Sequence, residues 1–240
     1  MPNWVYNNFT ASPVSPKEKR KFEKCIRKGN LFEKFLPIPS ELSYDKRVEE
    51  EVEAYPWWKD ASQEQKDRYL KGAITKKEAD RLVSLYGAYR GYDWCIENWG
   101  TKWDISDSSL ISEDIPNDHV EGTFNTPWSP PIKGLATISE QFPDTVFTLS
   151  FVEEDAYYGV AVIKNGTVFK RFGDKYLVQE EFWKEQHKDL FNRYEATNKD
   201  DDARDELEDE LLELWYEEEP DLLNAAQDDL VVALEAEARK

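Results

Sequence analysis

The chain has 240 residues, with 31 basic and 50 acidic side chains and a net charge of −19. This length allows one domain with additions or two small domains, and an aromatic content of 14% excludes disorder throughout. No stretch approaches the ~20 apolar residues of a membrane span, and two cysteines, Cys25 and Cys95, make a disulfide framework implausible. The N-terminus has no basic region followed by an apolar run, so a reducing cytoplasm is expected.

The negative charge is concentrated in the C-terminal tail. From Asp200 to Lys240 there are 17 acidic and 3 basic residues, a net of −14, which leaves only −5 for the first 199 residues. A tail of this charge repels nucleic acid and attracts basic partner surfaces, or simply keeps the protein soluble.

The first predicted elements are a strand and a capped helix. Apolar and polar residues alternate over residues 4–11, which predicts a strand. Ser15 and Glu18 form a capping box that begins a helix, and Gly29 fits its end. The outer face of this helix carries seven basic side chains: Lys17, Lys19, Arg20, Lys21, Lys24, Arg27 and Lys28. That face could contact nucleic acid, although a solvated helix face is the default expectation.

Residues from about 45 to 91 resemble a helical insertion. Ser62 with Gln65, and Thr75 with Glu78, are two more capping boxes. The second box begins a run with apolar residues at helical spacing. A mostly helical segment is therefore predicted here.

The rest of the domain is predicted to contain more strands and a second helix. In chain order they are strands over 102–106 and 120–126, a helix that Ser129 caps and Pro143 ends, a strand over 145–152, and a hairpin over 157–172 around Asn165-Gly166. The core order is β-α-β-β-α-β, the split βαβ pattern of ferredoxin-like folds. The predicted fold class is therefore α+β, with helices on one face of an antiparallel sheet and the other face available.

The residues after 172 predict an acidic helical extension. Apolar stripes recur at helical spacing, and Pro220 is expected to interrupt them, so two or three amphipathic helices are predicted. The predicted domains are thus a ferredoxin-like domain over 1–172 and the extension over 173–240.

Five motifs occur in a familiar order. They are Met1-Pro2-Asn3-Trp4 with Asn8, Leu36-Pro37-Ile38-Pro39 with Glu41-Leu42, Glu97-Asn98-Trp99-Gly100-Thr101-Lys102-Trp103-Asp104, Thr126-Pro127-Trp128-Ser129-Pro130-Pro131, and Phe142-Pro143. Together they resemble the Api92-like proteins of phages and plasmids, also described as the YubB ferredoxin-like family, over roughly residues 1–165. The resemblance implies a ferredoxin-like fold and a mobile-element origin in a bacterial host cell, and it implies no reaction. The chain departs at Val5, where the family usually has cysteine, and at Pro127, where a small residue is usual.

The tryptophan-rich motifs are the first candidate binding site. Its residues are Asn3, Trp4, Asn98, Trp99, Lys102, Trp103, Asp104 and Trp128. Tryptophan supplies contact area and one donor, and it is enriched in binding hot spots. The alternative is a packed core in which Asn98 and Asp104 tie down a turn, and the frequency of buried aromatics favours it.

The second candidate is an acidic partner surface on the extension. Its residues are Glu206, Asp209, Glu210, Glu213, Trp215 and Glu217. Three interpretations stay open: a solubilising appendage, a partner-binding module, and a nucleic-acid mimic whose carboxylates occupy a basic groove of a host defence protein.

No constellation of residues specifies an enzyme. His119 and His187 lie far apart without metal-ligand spacing, and no nucleophile has an obvious base partner. The glycines do not form a phosphate loop. The sequence therefore predicts no catalytic residue, no metal and no cofactor.

The predicted function is that of a non-enzymatic phage or plasmid protein that binds a host or phage protein with a basic surface. The leading hypothesis is inhibition of a host defence or nucleic-acid-processing protein through the acidic face. The alternative is a single-stranded nucleic-acid or nucleotide-binding module that uses the sheet and the tryptophan motifs. Nucleic acid is the less expected partner because of the charge, no membrane partner is expected, and the oligomeric state is left open.

Overall fold

The computed structural model describes residues 3–111, 115–153, 157–198 and 202–238. The strands in these residues are β1 (Trp4–Ser12), β2 (Ser106–Leu110), β3 (Val120–Pro127), β4 (Val146–Glu153), β5 (Tyr157–Lys164) and β6 (Thr167–Asp174). The α-helices are α1 (Pro16–Lys28), α2 (Leu31–Phe35), α3 (Glu49–Glu53), α4 (Gln63–Leu70), α5 (Lys76–Tyr86), α6 (Gly91–Asn98), α7 (Ile132–Ser139), α8 (Lys175–Gln186), α9 (Lys188–Ala196) and α10 (Asp202–Ala238). A 3₁₀ helix covers Pro56–Asp60.

One antiparallel sheet contains the strands in the order β2-β3-β1-β4-β5-β6. Strand β1 lies between β3 and β4 and pairs antiparallel with both, and α1 and α7 are the two crossover helices. This arrangement of β1-α1-β2-β3-α7-β4 confirms the predicted α+β, ferredoxin-like fold. Strands β5 and β6 extend the sheet through a tight hairpin, in which Asn165 and Gly166 both have positive φ (45° and 77°).

The main core lies between the sheet and helices α1 and α7. Phe9, Phe22 and Phe147 are fully buried, and their ring centroids are 5.7 to 6.3 Å apart. Helix α1 begins as predicted, because Ser15 Oγ accepts from the Glu18 N–H at 3.3 Å and Glu18 Oε2 accepts from the Ser15 N–H at 2.7 Å. The strand alternation and the cap thus place these three rings in one layer.

The insertion is helical as predicted, with one difference at a cap. The Ser62–Gln65 box forms in both directions. Thr75 accepts from the Glu78 N–H at 3.3 Å, but the Glu78 side chain binds Arg81 instead of returning to the cap. Arg81 holds this carboxylate through two hydrogen bonds, a bidentate pair, so the second box is only half formed.

Two local predictions in the middle of the chain are wrong. Residues 102–105 are irregular and the strand begins only at Ser106, because the Asp104 side chain accepts the N–H groups of Ile105 and of Phe32 and Glu33 in α2. Ser129 does not cap α7: its hydroxyl donates to Gly100 O, and the helix begins after Pro131 with no side-chain cap. In both places a tertiary contact replaces the local one.

The extension differs most from its prediction, since α10 is one helix that continues through Pro220. In its first half, Leu211 and Trp215 pack against α8 and α9; in its second half, Leu230 and Leu234 pack on β5 and β6. At about 100° per residue, these two apolar stripes point to different sides. Tertiary contacts on both sides of the proline offset its cost of about 3 kcal/mol in a helix.

The second half of α10 covers part of the sheet face opposite α1 and α7. Its contacts are with Val160 and Val162 of β5 and with β6, and Gln227 Nε2 donates to Phe151 O at 3.1 Å. Within the described residues, the same face stays open over β1, β3 and β4 beyond Val146, which packs beside Leu234. Among the described helices, none combines the length and apolar character that crossing a membrane requires.

Candidate binding surfaces

Trp99 is a core residue. It is 2% exposed, and its Nε1 donates to Leu36 O at 2.8 Å. Its ring lies 5.6 Å from Phe32 and 6.0 Å from Trp94. A ligand could reach this ring only by opening the core, so Trp99 contributes packing.

Asp104 and Asn98 hold the backbone in place, as the core alternative predicted. Asp104 accepts from the N–H groups of Phe32 (3.0 Å), Glu33 (2.7 Å) and Ile105 (2.9 Å). Burial raises the pKa of Asp104, and these three N–H groups oppose that shift. Asn98 Nδ2 donates to Trp94 O at 2.9 Å.

The remaining residues of the tryptophan motifs form an aromatic surface beside the start of β1. Trp128 is 47% exposed with φ +70°, and its N–H donates to Asn3 O at 2.9 Å. Lys102 Nζ lies 4.3 Å above the Trp128 ring. Trp4 and Trp103 are half-buried and pack edge to face, with centroids 6.2 Å apart. The structure therefore brings five of the eight predicted residues to one surface: Asn3, Trp4, Lys102, Trp103 and Trp128. Met1 and Pro2, which precede Asn3 in the first motif, lie outside the described residues.

The open face of the sheet is polar and lacks positive charge. Tyr6 is 48% exposed and lies opposite Asn125 and Val152, and most other side chains of that face are polar: Asn8, Thr10, Thr123, Thr148 and Ser150. None of the residues that β1, β3 and β4 contribute to this face is Lys or Arg. Such a face has no group that would neutralise phosphates.

The acidic face of α10 consists of Glu206, Asp209, Glu210, Glu213 and Glu217, all of them exposed. Their spacing places them on one side of the helix over about 16 Å. Within the described chain, no Lys, Arg or His side chain forms an ion pair with any of the five within 4 Å. In the part of the chain that is described, these five carboxylates are therefore not neutralised by the protein's own basic side chains.

Trp215 is not part of the acidic face. It is 1% exposed, and its ring lies 5.7 Å from Phe182 in the small core of α8, α9 and α10. Trp183 Nε1 donates to Leu211 O at 2.9 Å in the same core. The prediction that Trp215 is presented to a partner is wrong, because an indole at this position fills the bundle; its role is to hold the helix.

In the described residues, the basic face of α1 and helix α10 lie on opposite sides of the sheet. Helix α1 packs on β2 and β3 from the side opposite α10, and its seven basic side chains form no ion pair within 4 Å in the described residues. The chain thus carries a basic helix and an acidic helix on opposite sides of one sheet.

The cysteine and histidine side chains form no reactive cluster in the described residues. Cys25 and Cys95 are buried free thiols, and burial raises the pKa of both, that of Cys95 to about 12. His119 Nδ1 lies 2.9 Å from Asp118 Oδ1 at the surface. In residues 3–111, 115–153, 157–198 and 202–238, no three His, Cys, Asp or Glu side chains converge in a way that could hold a metal ion.

The insertion carries an exposed aromatic cluster that was not predicted from the sequence motifs. Tyr55 stacks on Trp57 with centroids 5.7 Å apart, and Trp57 lies 4.8 Å from Tyr69; all three are exposed. The run Tyr55-Pro56-Trp57-Trp58 was a usable signal, because three large aromatics in a short segment without helical or strand periodicity have no obvious core to enter.

These elements define an α+β domain of ferredoxin-like type with an acidic helical extension. The family model described as "Ferredoxin-like domain in Api92-like protein" matches residues 98–197, so the resemblance to Api92-like proteins is confirmed over that part of the chain. The match continues through α8 and α9, beyond the predicted domain boundary at residue 172.

One solved structure that matches this chain is that of a protein api92 from Yersinia pseudotuberculosis. It is 11% identical, with 72% of this chain and 98% of that chain covered and a TM-score of 0.34. No curated protein matches this chain significantly.

Proposed function

We propose that this chain is a non-enzymatic binding protein that engages a basic surface of a host or phage protein through the acidic face of α10. The observation that carries the proposal is that five exposed carboxylates share one side of an ordered helix without basic partners in the described chain. Carboxylates in this arrangement repel each other, and a basic partner relieves that repulsion.

The spacing of the acidic face supports a partner that normally binds nucleic acid. Five carboxylates from Glu206 to Glu217 span about 16 Å, or one negative charge per ~4 Å of helix axis. One strand of duplex DNA carries one phosphate per ~3.4 Å of axis. A basic groove that accommodates a phosphate backbone therefore meets a similar linear charge density on α10.

Rigid attachment of α10 is the second support. Lys175 pairs with Glu219 where both side chains are largely buried, and Arg171 pairs with Glu237 at 3.1 Å. Lys175 and Arg171 thus pair with acids of α10 that do not belong to the acidic face. A preorganised charged surface loses less entropy on association than a flexible tail. The proposed partner is a defence or nucleic-acid-processing protein in the cytoplasm of a bacterial host.

The test is affinity capture from bacterial extract with the full chain and two variants of equal net charge. The first variant neutralises the acidic face by Asp→Asn and Glu→Gln substitution at its five positions. The control variant neutralises five exposed acids outside α10: Glu53, Asp60, Glu64, Glu140 and Asp144. We expect the first variant to lose a basic protein that the control retains, and duplex DNA to displace that protein from the wild type.

Two outcomes would contradict the proposal, and a third would remove only the nucleic-acid mimicry. Capture that persists after neutralisation of the acidic face would assign binding to another surface. Equal losses in both variants would show that only the overall charge matters. A captured protein that duplex DNA does not displace would remove the mimicry and leave a different basic partner.

A further inference from the structure

A cavity of about 290 Å³ lies between the insertion and the start of α6. Its walls are four tyrosines and two arginines: Tyr44, Tyr55, Tyr69, Tyr92, Arg47 and Arg90. Small-molecule pockets begin at about 300 Å³ and combine apolar walls with a few polar groups. This cavity has the size and the composition for one small ligand, and it uses no residue of α10.

The aromatic walls are held in place by contacts with each other. Tyr44 and Tyr92 pack edge to face, with centroids 5.8 Å apart, and the Tyr44 hydroxyl donates to Lys102 O at 3.1 Å. On the other side, Trp57 lies 5.7 Å from Tyr55 and 4.8 Å from Tyr69. Ordered aromatic walls select a planar ring, since every base or other flat ring offers a face for stacking.

The two arginines have different partners. Arg90 makes a two-pronged contact with Asp93, which fixes its guanidinium near the Tyr92 ring at 5.2 Å. Arg47 lies 5.1 Å from the Tyr69 ring, with only a 3.4 Å hydrogen bond from its Nη1 to Tyr69 O. Among the described residues, no carboxylate pairs with Arg47 within 4 Å. Arg47 is therefore a charged donor that is available to an anion.

The hydroxyls of three wall tyrosines add further donors. In the described chain, the hydroxyls of Tyr55, Tyr69 and Tyr92 make no hydrogen bond with the protein. Phenol hydroxyls and a guanidinium fork together match the several acceptor oxygens of a phosphate. The rim also contains Asp45, an exposed carboxylate that would repel the same phosphate.

From this geometry we propose that the cavity binds a nucleoside phosphate, with the base against the tyrosine walls and the phosphate on Arg47. A planar ring joined to a dianion satisfies both features of the cavity, whereas a lone anion leaves the aromatic walls unused and a lone ring leaves Arg47 unpaired. The site differs from the tryptophan motifs considered in the sequence analysis, because it lies in the insertion, and it stands independently of the proposed partner of α10.

Isothermal titration calorimetry on the full chain tests the proposal with adenosine 5′-monophosphate, guanosine 5′-monophosphate, adenosine and inorganic phosphate as probes. We expect the two nucleotides to bind at least tenfold more tightly than adenosine or phosphate alone. The substitution Arg47→Ala should weaken nucleotide binding about tenfold or more, because a charge-assisted contact is lost. Asp45→Asn should tighten it several-fold, because a like charge is removed. Adenosine binding should respond to neither change.

Arg68→Ala is the matched control, since Arg68 is an exposed arginine of α4 that does not line the cavity. It removes the same charge and should leave nucleotide affinity within twofold. Circular dichroism melting curves verify that each variant is folded. A second arm compares the mononucleotides with a short single-stranded oligonucleotide carrying a 5′-phosphate, which distinguishes a free nucleotide from the end of a strand.

Several results would overturn the inference. No heat of binding from either nucleotide at millimolar concentration would show that the cavity is not a nucleotide site. If Arg47→Ala and Arg68→Ala weaken nucleotide binding equally, only the overall charge of the protein matters and Arg47 does not contact the phosphate. Binding of a phosphotyrosine peptide in preference to both nucleotides and to the oligonucleotide would assign the cavity to a different class of ligand.

Discussion

The carboxylate of Asp104 accepts the backbone N–H of Phe32 at 3.0 Å, across 72 positions of sequence. The same side chain also accepts from the N–H of Glu33 at the first turn of α2 and from the N–H of Ile105. One residue of the Asn-Trp-Gly-Thr-Lys-Trp-Asp motif thus joins the segment before β2 to the helix that follows α1.

Removing this carboxylate should destabilise the domain. We expect Asp104→Ala to lower the free energy of unfolding by about 1–3 kcal/mol, because buried N–H groups lose their acceptor. Urea denaturation measures the change. The exposed variant Asp144→Ala is the control, and a loss of equal size there would show that general charge, not the three hydrogen bonds, is responsible.

Asp104 should also leave a signature in the pH dependence of stability. Burial raises its pKa above the ordinary value of 3.8, so the folded state binds more protons than the unfolded state in that range. Protonation of Asp104 contributes its full stability below the pKa that Asp104 has in the unfolded state. This contribution is lost as the pH rises through the pKa that Asp104 has in the folded state. The free energy of unfolding of the wild type minus that of Asp104→Asn should therefore decrease as the pH rises from the acid range toward neutrality. Chemical denaturation at several pH values checks the sign, and an increase would contradict it.

Trp215 should stabilise the extension. It is 1% exposed against Phe182, so Trp215→Ala should cost about 3–5 kcal/mol in the core of α8, α9 and α10. The adjacent Tyr216 is 65% exposed, and Tyr216→Ala should change stability by less than about 0.5 kcal/mol. Hydrogen exchange over residues 202–238 reports the effect. Equal protection in both variants would mean that the indole does not anchor α10.

Replacing Gly134 in α7 by alanine should not increase the stability of the domain. Helix propensity alone predicts a gain of about 1 kcal/mol for Gly134→Ala. A Cβ at this position would meet Phe32 Cε1 at 2.7 Å and the Trp99 Cα at 3.1 Å, so we expect a net loss of about 1–3 kcal/mol. Thermal unfolding of this variant beside Lys133→Ala, an exposed change one residue earlier, distinguishes the clash from a general effect on α7.

Much of the domain could be predicted because its signals are local. The capping box at Ser15, the Asn165-Gly166 turn and the alternation of Phe147, Leu149 and Phe151 depend on residues that are neighbours in the sequence. The order of these elements then restricts the sheet to the split βαβ arrangement. The structure confirms these three predictions.

The candidate sites were less predictable because exposure is decided by packing. Trp99 and Trp128 occur in similar motifs, yet one indole is buried against Phe32 and the other lies at the surface under Lys102. Composition cannot distinguish these two outcomes, since both motifs are rich in the same residue types. The cavity of the insertion was missed for the same reason: Tyr44 and Tyr69 are distant in the sequence and meet only in the folded insertion.

The amino-acid sequence by itself determined the order of strands and helices, the sites of the tight turns and the sign of the charge on each helix, because these depend on residues a few positions apart. Tertiary structure alone decided that α10 continues through Pro220, that Trp215 is buried and that the acidic face is left without a basic partner in the described chain. The physical reason is that a proline costs a helix a fixed local free energy, whereas the burial of Leu211, Trp215 and Leu234 on two separate surfaces is available only once the sheet and the other helices are assembled.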